Sequence, residues 1–268
     1  MLRKTAMKSV ITAAFTSFFS ISLFSQISLF SSNGTGSTPV MSAYVNPVPA
    51  IPSAPFSATV TTRFKSRWIG DRTKFHVDET SFTIARDAKG RTYDDIKWSA
   101  GNWQVTSGHI YDPATRLNTT LIAEQHIARL WKSVGEQPEY ETNPQSAKTP
   151  LTAEPPFWIY GEPVWHKEDL GIQMMEGVMV HGVRLVRNIP ASASGTGQPV
   201  ETTDEFWYSA ELHMNLLIRH TDPRDGEQMF KLTRIKRGEP DPALFQVPAE
   251  FRIVDETPKT TQSTGAGR

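Results

Sequence analysis

The chain has 268 residues, 38% hydrophobic and 21% charged, with 28 basic and 28 acidic side chains. That length suits one large β domain or two small ones, and it can bury enough surface to fold without cross-links. The even charge balance argues against a nucleic-acid footprint. The absence of cysteine excludes disulfides, thiolate catalysis, a Cys-ligated zinc site and a lipidated N-terminal Cys.

Arg3, Lys4 and Lys8 precede an uncharged run from Ser9 to Phe30, rich in Phe, Ile, Leu and Ser. A basic start followed by an apolar segment is an export address. Residues 1–32 therefore read either as a cleaved signal peptide or as an N-terminal membrane anchor. The run is longer than the roughly 7–15 residues of a usual signal core, and its serines dilute the about 20 apolar residues a spanning anchor wants. Either way the rest of the chain is expected outside the cytoplasm, in the periplasm or the extracellular space, held at the inner membrane if the segment stays. Residues 33–55 carry Pro39, Pro47, Pro49, Pro52 and Pro55 among Ser, Gly and Thr, and read as an extended linker. Residues 257–268 read as a disordered tail.

Between them, residues 56–256 are patterned as one β domain. Val60, Thr62 and Phe64 alternate with Thr59, Thr61 and Arg63, the period of a half-buried strand. Ser81–Arg86 is a second strand, and Asp87-Ala-Lys-Gly90 a turn whose glycine supplies positive φ. Arg91, Thr92 and Tyr93 start the return. Ile110-Tyr-Asp-Pro113 leads through another turn into Leu117–Ile122. Residues 121–134 are ambiguous: Leu121, Ile127, Leu130, Trp131 and Val134 fit one helix face, whereas the preceding hairpin and Thr119-Thr120 favour strands. Residues 137–157, with five prolines, read as a long central loop. The aromatic patch Phe157-Trp-Ile-Tyr160, with Trp165 behind it, reads as the place where that loop docks or as part of a ligand-facing cluster.

The stretch from Leu170 to Val254 is the clearest. Glu176-Gly177 makes a turn, Val178–Ile189 alternates with apolar residues on both faces, and Pro190–Pro199 reads as a flexible loop at the mouth of a curved sheet. Glu201–Tyr208, Leu212–His220 and Glu227–Arg237 follow as strands, the last two joined by the turn Asp222-Pro-Arg-Asp-Gly226. Consecutive hairpins of this kind make an antiparallel meander. Glu239–Phe251 then stops it: Pro240 and Pro242 cannot donate to a ladder but can open a helical turn. Leu244, Phe245 and Phe251 are expected to point inward as a structural plug at one end. The predicted fold is thus mainly β, a curved antiparallel meander forming an unclosed half-barrel with a short helical plug.

Several blocks carry a family resemblance: Arg86-Asp-Ala-Lys-Gly-Arg91, Ile110-Tyr-Asp-Pro113, Leu170-Gly with Glu176-Gly-Val178, Trp207-Tyr-Ser209, Asp222-Pro223 and Glu239-Pro-Asp-Pro-Ala-Leu-Phe-Gln-Val-Pro248. With them the chain resembles the exported half-barrel superfamily of LolA-like lipoprotein carriers and RseB-like regulators, and in particular a group of secreted bacterial proteins. The resemblance implies a curved sheet partly wrapped around a hydrophobic cavity, which in some members binds lipid or acyl chains.

No pattern of catalysis stands out. The seven histidines form no H-E-x-x-H or other metal spacing, and no nucleophile elbow, phosphate-binding loop or dinucleotide fingerprint is present. Asp94-Asp95 and Glu168-Asp169 are neighbouring carboxylates of the kind that serve acid–base work but more often form solvated charge. No catalytic residue, metal ligand or cofactor is expected. The expected function is non-catalytic binding of an apolar or lipid-like ligand in the half-barrel, lined by Trp158, Trp165, Leu185, Trp207, Leu216 and Phe230. The alternative is an interaction or envelope-sensor module that receives a protein partner and no small ligand.

Overall fold

In a computed structural model the described residues are 48–67, 73–100, 103–133 and 164–257. The N-terminal segment 1–32, the central loop 137–157 and residues 258–268 lie outside them.

The described chain forms twelve strands: β1 (Phe56–Arg67), β2 (Phe75–Arg86), β3 (Thr92–Ala100), β4 (Trp103–Asp112), β5 (Leu117–Ile122), β6 (Ile127–Lys132), β7 (Val164–Met175), β8 (Val178–Ile189), β9 (Val200–Ser209), β10 (Met214–Asp222), β11 (Gly226–Arg237) and β12 (Arg252–Asp255). They make one sheet in the order β12-β6-β5-β4-β3-β2-β1-β11-β10-β9-β8-β7. Every neighbouring pair is antiparallel except β12 with β6, which is parallel. Two meanders are thus joined where β1 and β11 pair, and among the described strands β12 and β7 are the edges. Among the described residues the only helical pieces are single turns at Ala123–Gln125, Ala191–Ser194 and Pro242–Phe245. Residues 121–134 follow the strand reading as far as Lys132, because His126 adopts left-handed backbone (φ 49°) and closes a tight β5–β6 connection.

The linker expected up to residue 55 ends earlier. Ala50 and Ile51 are buried, and Ser53 donates its N–H to the Ala88 carbonyl at 3.1 Å. This docking explains the glycine in the β2–β3 turn. A Cβ on Gly90, already at φ +83°, would stand 3.1 Å from the Ile51 carbonyl carbon and 3.2 Å from the Pro52 nitrogen. The mouth loop is also tied down: Ser194 is buried, and its carbonyl accepts from Arg224 Nη1 at 3.0 Å.

The plug differs more. Pro242 opens a turn capped by Asp241, whose carboxylate accepts from the Ala243 N–H at 2.9 Å. Phe245 is buried against Ala85 of β2 and Ile110 of β4, with Tyr93, Leu121 and Leu244 packed around them. Ala85 alternates with Ile84, so this cluster lies on the sheet face opposite to Ile84 and Val60. The segment therefore packs on that face of the first meander, across β2 and β4. It lies there because the chain must cross from β11 at the centre to β6 at the edge, where β12 adds as a strand that the sequence pattern does not announce. Phe251, half-buried, touches the His126 ring at a centroid distance of 5.7 Å as the chain enters β12.

The second meander curls strongly. Arg237 of β11 donates to the carbonyl of Gly177 in the β7–β8 turn at 2.5 Å and to Glu211 in the β9–β10 turn. The N–H of Arg234 donates to Glu176 at 2.8 Å from a β11 residue with positive φ. Turns that belong to different strand pairs are thus drawn together at one end of the sheet. The curvature expected of an unclosed half-barrel is built by these contacts.

Candidate functional site

One face of this sheet is a continuous apolar surface. Read across the register, Val183 faces Phe206, Phe206 faces Ile218, and Ile218 faces Phe230. One step along, Leu232 faces Val60 and Val60 faces Phe82, while Ala58 faces Ile84. Except for Phe82, each of these residues is buried. Paired residues share a face in an antiparallel ladder, so the surface follows from pairing alone.

Three of the ligand-lining residues expected from the sequence come together here. Phe230 belongs to the row just described, Leu185 lies two residues from Val183, and Leu216 sits at the β10 bulge two residues before Ile218. Trp207 does not join them. It pairs with Gly182 on the other face, where a Cβ on that glycine would stand 2.5 Å from the indole ring. Its Nε1 donates to Glu205 at 2.6 Å. Trp207 is thus a cover over a glycine gap on the opposite face. Trp165 lies in β7, and Trp158 is outside the described residues.

The two ends of the apolar face are polar in different ways. At one end Asp204 and His220, cross-strand partners and both buried, are joined through Oδ1 and Nδ1 at 2.6 Å. Nearby, Asp222 accepts from Arg224 Nη2 at 2.6 Å and from the Arg224 N–H at 2.8 Å. Burial pushes the Asp222 pKa up, but the hydrogen bonds and charge of Arg224 outweigh it and hold the carboxyl below its ordinary 3.8. A depressed folded pKa gives stability that is present above 3.8 and is lost as pH falls through the folded value. Asp222→Asn is therefore expected to flatten the loss of stability below that pH, measured by urea unfolding across an acid series. An unchanged acid profile would contradict the pairing.

At the other end Arg86 is fully buried. Its guanidinium donates to the carbonyls of Pro49, Ala54 and Leu212 at 2.9–3.0 Å and lies over the Phe56 ring at 5.1 Å. Burial pulls its pKa from 12.5 down to about 10, so it stays charged at neutral pH. In the sequence Arg86 stands only as the end of a strand and the first residue of a resemblance block, because none of its acceptors is a sequence neighbour.

The face opposite to the apolar row carries a charged trough of about 290 Å³ around Arg184, which donates to Glu168 at 3.1 Å and Glu205 at 3.2 Å. The neighbouring carboxylates noted in the sequence do not converge. Asp94 holds His109 at 2.8 Å, Asp95 accepts from the Thr83 N–H, and Asp169 holds His181 at 2.7 Å. Adjacent strand residues point to opposite faces, so each carboxylate takes a different partner. Among the described residues no group of three or more His, Asp or Glu side chains is placed to hold a metal ion.

No family profile and no curated protein matches the chain. Its fold is similar to a chain in the structure of the MucA/MucB complex of Pseudomonas aeruginosa, at 11% identity and TM-score 0.36, over 75% of this chain and 58% of that one. It is similar to a LolA superfamily protein of Nitrosomonas europaea at 10% identity and TM-score 0.30, over 73% and 91%. It is also similar to the lipoprotein LppX of Mycobacterium tuberculosis at 11% identity and TM-score 0.27, over 69% and 87%.

Proposed function

We propose that this chain is a non-catalytic protein of the cell envelope that holds an apolar or lipid-like ligand against the apolar face of its curved sheet. One observation carries the reading: an unbroken apolar surface runs from Ala58 and Ile84 through Leu232, Phe230, Ile218 and Phe206 to Val183 and Leu185. A face of this composition favours apolar over polar groups packed against it. The basic start and the uncharged run Ser9–Phe30 support export. The test is native mass spectrometry of the exported chain, followed by solvent extraction. A reproducible apolar species is expected to leave with the solvent; repeated preparations without one would overturn the proposal.

A second reading, docking of a protein partner, is favoured by a different observation. β7 is an edge among the described strands, and its hairpin with β8 exposes Ile172, Met174 and Met179 by 60–70% of their surface. An unpaired edge beside exposed apolar side chains suits the addition of a partner's strand.

A further inference from the structure

The hairpin of β7 and β8 carries the most exposed large apolar side chains among the described residues. Ile172, Met174 and Met179 are 70%, 61% and 60% exposed. They share one face: Met174 pairs with Met179, and Ile172, two residues before Met174, pairs with His181. His181 itself is turned to Asp169 at 2.7 Å.

β7 is an edge among the described strands, and its two halves are guarded differently. Edge strands are normally protected by charges or bulges. The first half has His166, Lys167, Glu168 and Asp169 in succession, and a bulge follows between Asp169 and Gly171. Beyond it the ladder from Gly171 to Met175 holds no charge, and it ends at the turn of Glu176 and Gly177. An apolar edge without such guards is a template for another strand.

The segment is complementary to itself. In an antiparallel pair of identical strands the two-fold axis passes through a residue that meets its own copy. Gln173 is the middle of the ladder from Gly171 to Met175, so an axis there uses all of it. Ile172 then faces Met174 of the second copy, Gly171 faces Met175, and the two Gln173 amides face each other. Each row across the joined sheet runs Met179 and Met174, then Ile172 and His181 of the second copy. An axis at Gly171 would instead set the Glu168 carboxylate against Met174. No charge in the segment selects an oppositely charged partner, and its own sequence supplies apolar opposite apolar and amide opposite amide.

We propose that a second copy of this chain docks here, β7 to β7, in an antiparallel pairing of residues 171–175 about Gln173. This rests on the reading of β7 as a docking edge and names its partner. The paired segment is short, so the dimer is expected to dissociate on the order of tens of micromolar, weaker than interfaces of standard size.

Sedimentation equilibrium of the full chain measures this, alongside Ile172→Lys, Gln173→Lys and Gln173→Glu, all at exposed positions. Ile172→Lys is expected to weaken the dimer at least about tenfold, because it sets a lysine against each Met174. Gln173→Lys and Gln173→Glu are each expected to weaken it alone and to restore it when mixed, since position 173 meets itself on the axis. A dimer indifferent to Ile172→Lys, or no recovery on mixing, would overturn the pairing. A chain that stays monomeric well above that concentration would overturn the second copy, and hydrogen exchange of the monomer then reads the edge. Fast exchange of the β7 amides that do not pair with β8 would leave the docking edge standing for a partner of another kind. Slow exchange would overturn the docking edge as well.

Discussion

Arg86→Ala is expected to lower the unfolding free energy by about 4 kcal/mol, from three carbonyls that lose their donors at about 1–3 kcal/mol each, partly offset by relief of a buried charge. The residue is fully buried and ties residues 49–54, the end of β2 and the β9–β10 turn to one guanidinium. Removing it leaves the Pro49, Ala54 and Leu212 carbonyls without that donor. The lowering of its pKa to about 10 shows that burying the charge already costs stability. Arg86→Lys keeps the charge but lacks the planar fork, so it is expected to fall between wild type and Ala. Urea titration followed by tryptophan fluorescence measures both. A loss below about 1 kcal/mol for the alanine variant would mean that the three carbonyls find water, and that the clamp is not structural.

Phe245→Ala is expected to cost about 3–5 kcal/mol, the range for truncating a buried phenylalanine. The ring fills a cluster with Ala85 and Ile110 and lies under the Arg91 guanidinium at 4.9 Å. Arg91 is in turn held by Asp87 at 2.6 Å, so the cavity would also loosen the β2–β3 turn. Phe251→Ala, at a half-buried site, is expected to cost less. A thermal melt of both variants checks the order, and an equal or reversed order would show that anchoring of β12 outweighs the cluster.

The distance between those two residues shows what was legible in the sequence. Phe245 could be picked out because its surroundings are local: prolines on either side, an Asp cap and an apolar triplet mark a turn that stops a ladder. Where that turn packs could not be read. The apolar residues of the first meander fall on both faces, Ile84 on one and Ala85 on the other, so alternation gives the strand but not the side that meets Phe245. Arg86 was not legible at all. Three acceptors far from it in sequence leave no local signal, and an arginine at a strand end looks like surface charge. Trp207 failed in a similar way: an aromatic beside apolar neighbours reads as ligand lining, and only its pairing with Gly182 puts it on the other face.

The sequence by itself determined most of the strands, though not β7 or β12, together with the turns between them, the mainly β class and the absence of any patterned catalytic or metal motif, since each of these rests on period, turn residues or spacing within a few positions. Only the tertiary structure decided which face became the continuous apolar surface and on which side the plug lies. It also decided that β12 adds to β6 in parallel at one edge, and that Arg86 gathers the Pro49, Ala54 and Leu212 carbonyls. Those outcomes depend on strand register and on the curl imposed when Arg237 gathers the turns at Gly177 and Glu211. Contacts between residues so far apart in the chain are fixed by the whole sheet and by no single stretch of it.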